Sequence, residues 1–168
     1  VVAVEGRHAA LAGERSWLPF TVRFSFYAGS RAVRVRHTFT YDGDPESDFV
    51  SGLGLAFDPA LSGPAHHRHV RFGGDDGLFG EPARLLPPGA DGYERHLDGD
   101  PVEAPDTISG MTPWGDFELV QDSADHYRVR KRVDDDHAWV DATHGRRAAG
   151  LGFVGDADSG LALAMRHC

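Results

Sequence analysis

The sequence predicts an all-β protein, an antiparallel and supersandwich-like β-sandwich. Apolar and polar residues alternate with a period of two in many short segments, which is the pattern of half-buried strands. The 21 Gly and 10 Pro residues supply the many turns that such strands need. No segment keeps a helical period of 3.6 residues over three turns, and no βαβ rhythm appears, so an antiparallel sandwich is favoured over an α/β fold.

The clearest predicted element is a hairpin near the start of the chain. Val22, Phe24 and Phe26 alternate with polar residues, and Ala28-Gly29-Ser30 then turns the chain. A second alternating run, Val33 to Tyr41, returns along the first.

Further strands are predicted along the rest of the chain, bounded by Gly, Pro or Asp turn signals. Pro87 to Pro113 lacks periodicity and is predicted to be a long loop. Trp139 alternates within its strand and is predicted to belong to the core. The predicted strands are Leu53–Phe57, His69–Phe72, Leu78–Leu86, Asp116–Leu119, Tyr127–Val133, His137–His144, Gly150–Gly155 and Gly160–His167.

Length and charge restrict the possible functions. The 168 residues fit one domain, so we expect residues 1–168 to form a single domain. The chain opens without Met and stops inside an alternating pattern, so we expect it to be part of a larger multidomain protein. The net charge of -9 argues against a nucleic-acid partner. No apolar run approaches the roughly 20 residues of a membrane span, so no membrane partner is expected.

Arginine side chains are concentrated on the polar sides of predicted strands, although the protein is acidic overall. Lys131 is the only lysine among 17 basic residues. A basic sheet face could hold an acidic polysaccharide, because guanidinium groups grip carboxylates through two hydrogen bonds. Two alternatives remain open: a solvated face, or a face that packs on a neighbouring domain. The arginines are Arg23, Arg34, Arg36, Arg128, Arg130 and Arg132.

The segment His66-His67-Arg68-His69-Val70-Arg71-Phe72 is the strongest candidate for catalysis. On a strand, His69 and Arg71 share one side. β-Elimination from a uronic acid needs a cation that neutralises the carboxylate and a base that takes the proton from the adjacent carbon. We therefore predict that His69 is the base or acid and that Arg71 is the carboxylate clamp. A His-rich turn that packs on a partner domain is the alternative.

Four further residues are predicted to contact substrate. Arg68 and His67 lie beside the catalytic pair, Arg36 lies in an arginine row, and Trp114 could stack on a sugar ring. Trp17 and Trp139 are alternatives to Trp114.

Metal sites are not expected. Adjacent histidines diverge on an extended chain, and no distant motif completes a ligand set with His66, His67 and His69. Carboxylates recur every two residues in Tyr41–Phe49, which suggests calcium superficially, but the segment lacks the helix-loop-helix pattern. A polar turn is the default interpretation; we expect no cofactor, with calcium as the alternative.

Three stretches of the sequence together resemble the exo-rhamnogalacturonan lyase family, which includes the bacterial YetA-like proteins (polysaccharide lyase family 26). The resemblance is densest over residues 5–86 and thinner beyond. The first stretch is Arg15–Phe24 with Phe26–Ser30. The second is Val35–Phe39, Tyr41–Asp44, Asp48-Phe49 and Gly52–Gly54; the third is Arg68–Phe72, Gly77–Phe79 and Glu81.

The resemblance implies which part of a larger protein this chain represents and what that protein does. Members have an N-terminal β-domain, a central β-sandwich and a C-terminal α/α toroid, and this chain resembles the central sandwich only. The implied activity of the full-length protein is β-elimination at the galacturonate of rhamnogalacturonan, working from a chain end. The implied partners are acidic polysaccharide and the flanking domains, and the implied location is extracellular or in the cell envelope. The isolated chain is expected to be inactive.

Two other functions stay open at this point. The domain could bind acidic glycan without catalysis, through its arginine face. It could also be a structural interdomain module, in which case an exposed apolar patch is expected on the isolated chain.

Overall fold

The computed structural model describes residues 1–10, 14–63, 65–83 and 114–166, and these ranges are built from β-strands. They contain ten strands and one short 3-10 helix, Ala65–His67, and no α-helix. The all-β prediction is confirmed. The predicted loop Pro87–Pro113 and the end of the predicted strand Leu78–Leu86 lie outside the described residues. The chain divides into two compact units, Val1–Ala56 and Phe57–Cys168.

The first unit is a three-stranded antiparallel sheet in the order β1-β2-β3. The predicted hairpin is confirmed, since Phe26 is paired with Val33 at its turn and Phe20 with Phe39 at its far end. Gly29 occupies the turn with a φ of 75°, a left-handed conformation that favours glycine. The strands are β1 (Val2–Ala9), β2 (Ser16–Phe26) and β3 (Val33–Phe39).

The register gives this sheet one apolar face and one basic face, because side chains alternate along each strand. Val4, Val22 and His37 are cross-strand neighbours on the apolar face. Ala3, Arg23 and Arg36 are neighbours on the other. Several apolar-face side chains are exposed, as expected for a structural interdomain module: Val2, Val4, Phe26, Val33 and Phe39.

The second unit contains two antiparallel sheets, with strand orders β10-β9-β4-β5 and β6-β7-β8. The four-stranded sheet consists of β4 (His69–Gly74), β5 (Gly77–Pro82), β9 (Ala148–Gly155) and β10 (Gly160–Ala164). The three-stranded sheet consists of β6 (Asp116–Ser123), β7 (His126–Arg132) and β8 (Val140–Gly145).

The core of the second unit lies between its two sheets. Tyr127 and Val129 of β7 and Ala148 of β9 are buried. Because both sheets contribute side chains to one cluster, the unit is a sandwich. The partly buried residues packed against this cluster are Phe72, Phe79, Leu119 and Ala142.

The predicted strand Leu53–Phe57 is wrong. The described chain forms no strand between β3 and the 3-10 helix, and Leu53, Leu55 and Phe57 are exposed. The residues that alternate with these three in the sequence are Gly52, Gly54 and Ala56. Glycine destabilises the interior of a strand because it has no side chain to pack, and this explains why the segment forms no strand.

The prediction that Trp139 belongs to the core is also wrong. It precedes β8 and is only half-buried. The guanidinium carbons of Arg130 and Arg132 lie 5.2 and 4.6 Å from its ring centroid. Cation–π contact with the arginine side of β7 therefore holds this indole away from the core.

Within the described ranges, no helix has the length and apolar character needed to cross a lipid bilayer.

Candidate functional site

His69 and Arg71 lie on the same face of β4, as predicted, and this face is directed away from the sandwich core. Phe72, one residue further, packs against the core and so marks the opposite side of the strand. Arg71 is opposite Phe153 of β9 and Gly80 of β5. The imidazole of His69 packs against the Phe153 ring, with 5.2 Å between ring centroids and 36° between ring planes. The result is an outward surface of one imidazole, one aromatic ring and one guanidinium.

The guanidinium of Arg71 is open to an incoming anion. The side chain is exposed, and it forms no ion pair with a carboxylate in the parts of the chain that the structure describes. Gly80, which has no side chain, faces it across the sheet, and the position of a Cβ there would be 3.5 Å from Arg71 Cγ. The glycine therefore leaves room beside the arginine for a ligand.

The hydrogen bond of His69 defines which ring nitrogen carries the proton. Nδ1 is 3.2 Å from the carbonyl oxygen of His67. A carbonyl oxygen only accepts, so Nδ1 must donate, and in the neutral ring Nε2 keeps its lone pair. Nε2 is therefore the ring nitrogen of His69 that can accept a proton, as a general base requires.

Arg68 and His67 make local contacts just before β4. Arg68 Nε donates to the carbonyl oxygen of Gly63 at 3.0 Å, and Nη2 donates to that of Leu61 at 3.4 Å. The ring of His67 lies 4.3 Å from that of the buried His66. Arg68 thus ties the segment before the 3-10 helix to the beginning of β4.

Asp156, in the β9–β10 turn, is a positioning residue that the sequence analysis missed. Asp156 is 7% exposed, and its carboxylate accepts hydrogen bonds from the backbone N–H groups of Gly63 (2.8 Å), Ser159 (2.8 Å) and Asp158 (2.9 Å). These bonds, the one from Gly63 first, lower the pKa of Asp156 to about 2. Since Arg68 holds the carbonyl of the same Gly63, Asp156 and Arg68 together anchor the segment that leads to His69.

Asp156→Asn is expected to lower the Tm at neutral pH by roughly 5 °C, because an amide NH₂ would replace one acceptor and confront a backbone N–H. The folded-state pKa lies below the ordinary value of 3.8. Its stabilisation is therefore full above about pH 4 and is lost as the pH falls towards 2. Thermal unfolding between pH 2 and 7 should show the wild-type advantage shrinking in that window. Asp158→Asn is the control; an advantage that is independent of pH would contradict the assignment.

Trp114 is brought near this segment by its backbone but not by its ring. Its N–H donates to Ala83 O at 2.7 Å, and Ala83 N–H donates to Arg68 O at 2.7 Å. The ring lies 4.2 Å from Lys131 Nζ, and Lys131 forms an ion pair with Glu81.

The ion pair between Lys131 and Glu81 lies on the inner side of the four-stranded sheet. Glu81 is opposite Val70 in the register, so its side chain is on the face opposite to that of His69 and Arg71. The Trp114 ring therefore contacts a cation of the inner face. Lys131 is the only lysine in the sequence, and this was the one sequence feature that could have drawn attention to the Lys131–Glu81 pair.

Arg36 lies in the other unit, on β3, where it is opposite Arg23 of β2. It is exposed and belongs to the basic face of the three-stranded sheet.

The arginines of β7 are already neutralised by acidic side chains. Arg130 pairs with Glu118 at 2.6 Å and Arg132 with Asp116 at 2.7 Å, both across the β6–β7 register. Arg128 lies 3.5 Å from Asp122. This row therefore consists of arginines whose charges are paired with carboxylates of β6.

Two of the carboxylates that suggested calcium, those of Asp42 and Asp48, are bound by protein donors. Asp42 accepts a hydrogen bond from Leu18 N–H at 2.7 Å and pairs with Arg7. Asp48 pairs with Arg15 and accepts from Asp44 N–H at 2.8 Å. The Leu18 bond holds the pKa of Asp42 below its ordinary value, and Arg15 does the same for Asp48.

No group of three or more His, Cys, Asp or Glu side chains that could hold a metal ion occurs among the described residues.

Sheet topology and core define an all-β sandwich protein with an outward histidine–arginine surface. The chain belongs to the family described as "PcRGLX-like protein central beta sandwich domain", whose model matches residues 1–168. The chain is also 37% identical over 180 residues to "Uncharacterized protein YetA" of Bacillus subtilis (strain 168). That match covers 99% of this chain and 21% of the relative, so the chain spans about a fifth of the relative's length. The predicted family resemblance is confirmed.

Proposed function

We propose that this chain is the β-sandwich domain of a polysaccharide lyase that acts on rhamnogalacturonan-type acidic glycan. One observation carries the proposal: His69 and Arg71 share an outward sheet face, with a guanidinium that has no carboxylate partner among the described residues and an imidazole whose Nδ1 donates to His67 O, which leaves Nε2 as the basic nitrogen. The choice of an acidic glycan follows from the resemblance to the exo-rhamnogalacturonan lyase family, and it is supported by the match of the PcRGLX-like central β-sandwich model to the whole chain.

The two side chains divide the reaction between them. Arg71 binds the uronate carboxylate through two N–H···O bonds and neutralises it, which acidifies the proton on the adjacent carbon. His69 Nε2 takes that proton. The electron pair of the broken C–H bond forms a double bond between the carbon that lost the proton and the next ring carbon. The bond from that next carbon to the leaving glycosidic oxygen breaks, and an acid protonates the oxygen. No cofactor is needed for these steps.

The rest of the proposed site comes from other parts of the full-length protein. Of the residues predicted to contact substrate, Arg68 and His67 adjoin the pair, whereas the Trp114 ring contacts the inner-face Lys131. The acid for the leaving oxygen and much of the glycan groove are therefore proposed to belong to a flanking α/α toroid. The isolated chain is proposed to be inactive, and the full-length protein to be exported.

Arg71→Gln tests the carboxylate clamp in the full-length protein. The amide keeps hydrogen-bonding capacity but loses the charge, so KM for rhamnogalacturonan should rise about tenfold or more. Arg71→Lys should recover only part of the loss, because an ammonium group cannot grip a carboxylate bidentately. Steady-state kinetics of unsaturated-uronate release measure both.

Arg146→Gln, an exposed arginine on the β8–β9 turn, is the charge-matched control. If Arg71→Gln and Arg146→Gln give the same KM as the wild type, Arg71 does not bind the carboxylate.

A further inference from the structure

We infer that the basic face of the three-stranded sheet, formed by Arg23, Arg34 and Arg36 with Thr21, Ser25 and Thr38, is a second, non-catalytic surface that binds the carboxylates of an acidic glycan chain. The inference rests on the proposed function for the class of glycan. It concerns the unit Val1–Ala56 alone and does not use His69 or Arg71.

The register places the three guanidinium groups together. Arg23 of β2 is directly opposite Arg36 of β3, and Arg34 is opposite Ser25, two residues away on the same face. Like charges that face each other across an antiparallel pair destabilise a sheet. The arrangement therefore needs an explanation beyond folding.

No protein carboxylate within the described ranges neutralises this face. Arg23, Arg34 and Arg36 are exposed and form no ion pair there, whereas the β7 arginines each have an acidic neighbour on β6. Glu5 of β1 is on the same face, opposite Thr21, but it lies beyond ion-pair distance of the three arginines. An external anion would remove the repulsion.

The spacing of the charges fits a polymer better than a single small anion. Cross-strand neighbours are about 5 Å apart, and alternate residues of one strand are about 7 Å apart. Carboxylates that recur along an extended glycan can meet such a row successively. Thr21, Ser25 and Thr38 add hydroxyl groups beside the arginines, which can bond the sugar hydroxyls.

The composition of the face favours a glycan over a protein partner. Its neighbours on β1 and β2 are small or polar, such as Ala3 and Thr21, so little apolar area is available. The centre of a protein interface is usually apolar or aromatic. The exposed Val2, Val4 and Phe26 lie on the other side of the sheet, which is the side suited to protein contact.

Binding of polygalacturonate to the full-length protein tests the inference. All proteins compared carry His69→Ala, so that the probe is not consumed. Arg23→Gln with Arg36→Gln should weaken binding about tenfold or more and make it less sensitive to salt. The control, Arg146→Gln with Arg166→Gln, removes the same charge from two separate exposed positions and should change Kd by less than about twofold. Fully methyl-esterified polygalacturonate, which lacks the charge, should bind weakly to all of them.

Two results would overturn the inference. Equal weakening in both double variants would assign binding to net charge. Unchanged binding would show that this face does not bind the glycan, and new protease cleavage near Arg23 in the same full-length variant would show that the face packs on another domain. The lyase proposal fails separately: a protein with His69 intact that binds polygalacturonate through this face but releases no unsaturated uronate from rhamnogalacturonan contradicts only the catalytic assignment.

Discussion

His69→Ala in the full-length protein is expected to lower kcat for unsaturated-uronate release about 100-fold or more. The imidazole is proposed to take the proton whose removal forms the double bond, and alanine offers no group to do so. Nδ1 is engaged by His67 O, so Nε2 is the nitrogen whose loss matters. Steady-state rates with rhamnogalacturonan measure the effect.

The same variant should fold normally. His69 is only half-buried and touches Phe153 on the outward side of the sheet, so the Tm should change by no more than about 3 °C. His144→Ala, which removes an exposed histidine from β8, is the matched control and should keep full activity. If His69→Ala also keeps full activity, His69 is structural and the proposed mechanism is wrong.

Val129→Asp is expected to unfold the sandwich of the second unit. Val129 is fully buried on β7, between Tyr127 and the side chains of the opposite sheet. A carboxylate at this position would lose its hydration among apolar side chains, and Lys131 on the same side of β7 is already paired with Glu81, so the substitution costs about 4 kcal/mol or more. Val129→Ala removes only methyl groups and should cost about 2 kcal/mol. Urea unfolding followed by circular dichroism measures both.

Val140→Asp supplies the matched control for this prediction. Val140 is on the neighbouring strand β8 but is 49% exposed, so a carboxylate there stays hydrated. Its effect should remain within about 0.5 kcal/mol. Equal destabilisation by the two aspartates would mean that Val129 is not at the centre of the core.

Local alternation was enough to predict much of the fold. The β2–β3 hairpin follows from period-two patterning and from one glycine turn, both contained within about twenty residues of sequence. The shared face of His69 and Arg71 follows from the same rule, because residues two apart on a strand lie on one side.

The features that the sequence did not reveal depend on distant residues. Asp156 supports Gly63 across 93 positions of sequence, and no local pattern marks that pair. Phe153 meets His69 only because β9 pairs with β4. Trp139 follows the alternation of a core residue, but Arg130 and Arg132 on the neighbouring strand hold it on the other side.

The two arginine rows show that a charge pattern in the sequence can be interpreted only when the pairing register of the strands is known. The row on β7 and the row on β2 and β3 look alike in sequence. Only cross-strand pairing shows that Glu118 and Asp116 neutralise Arg130 and Arg132. No described carboxylate does this for Arg23 and Arg36, so the two rows receive different interpretations.

The most direct test of the central claim is absorbance at about 235 nm, where the unsaturated uronate formed by elimination absorbs, with rhamnogalacturonan I as substrate. The full-length protein and the isolated 168-residue chain are measured side by side. The lyase proposal predicts a rising signal from the full-length protein and none from the isolated chain, since the proposed site draws on residues of other domains. No signal from either protein, with glycan binding intact, would contradict the lyase assignment and leave a glycan-binding domain.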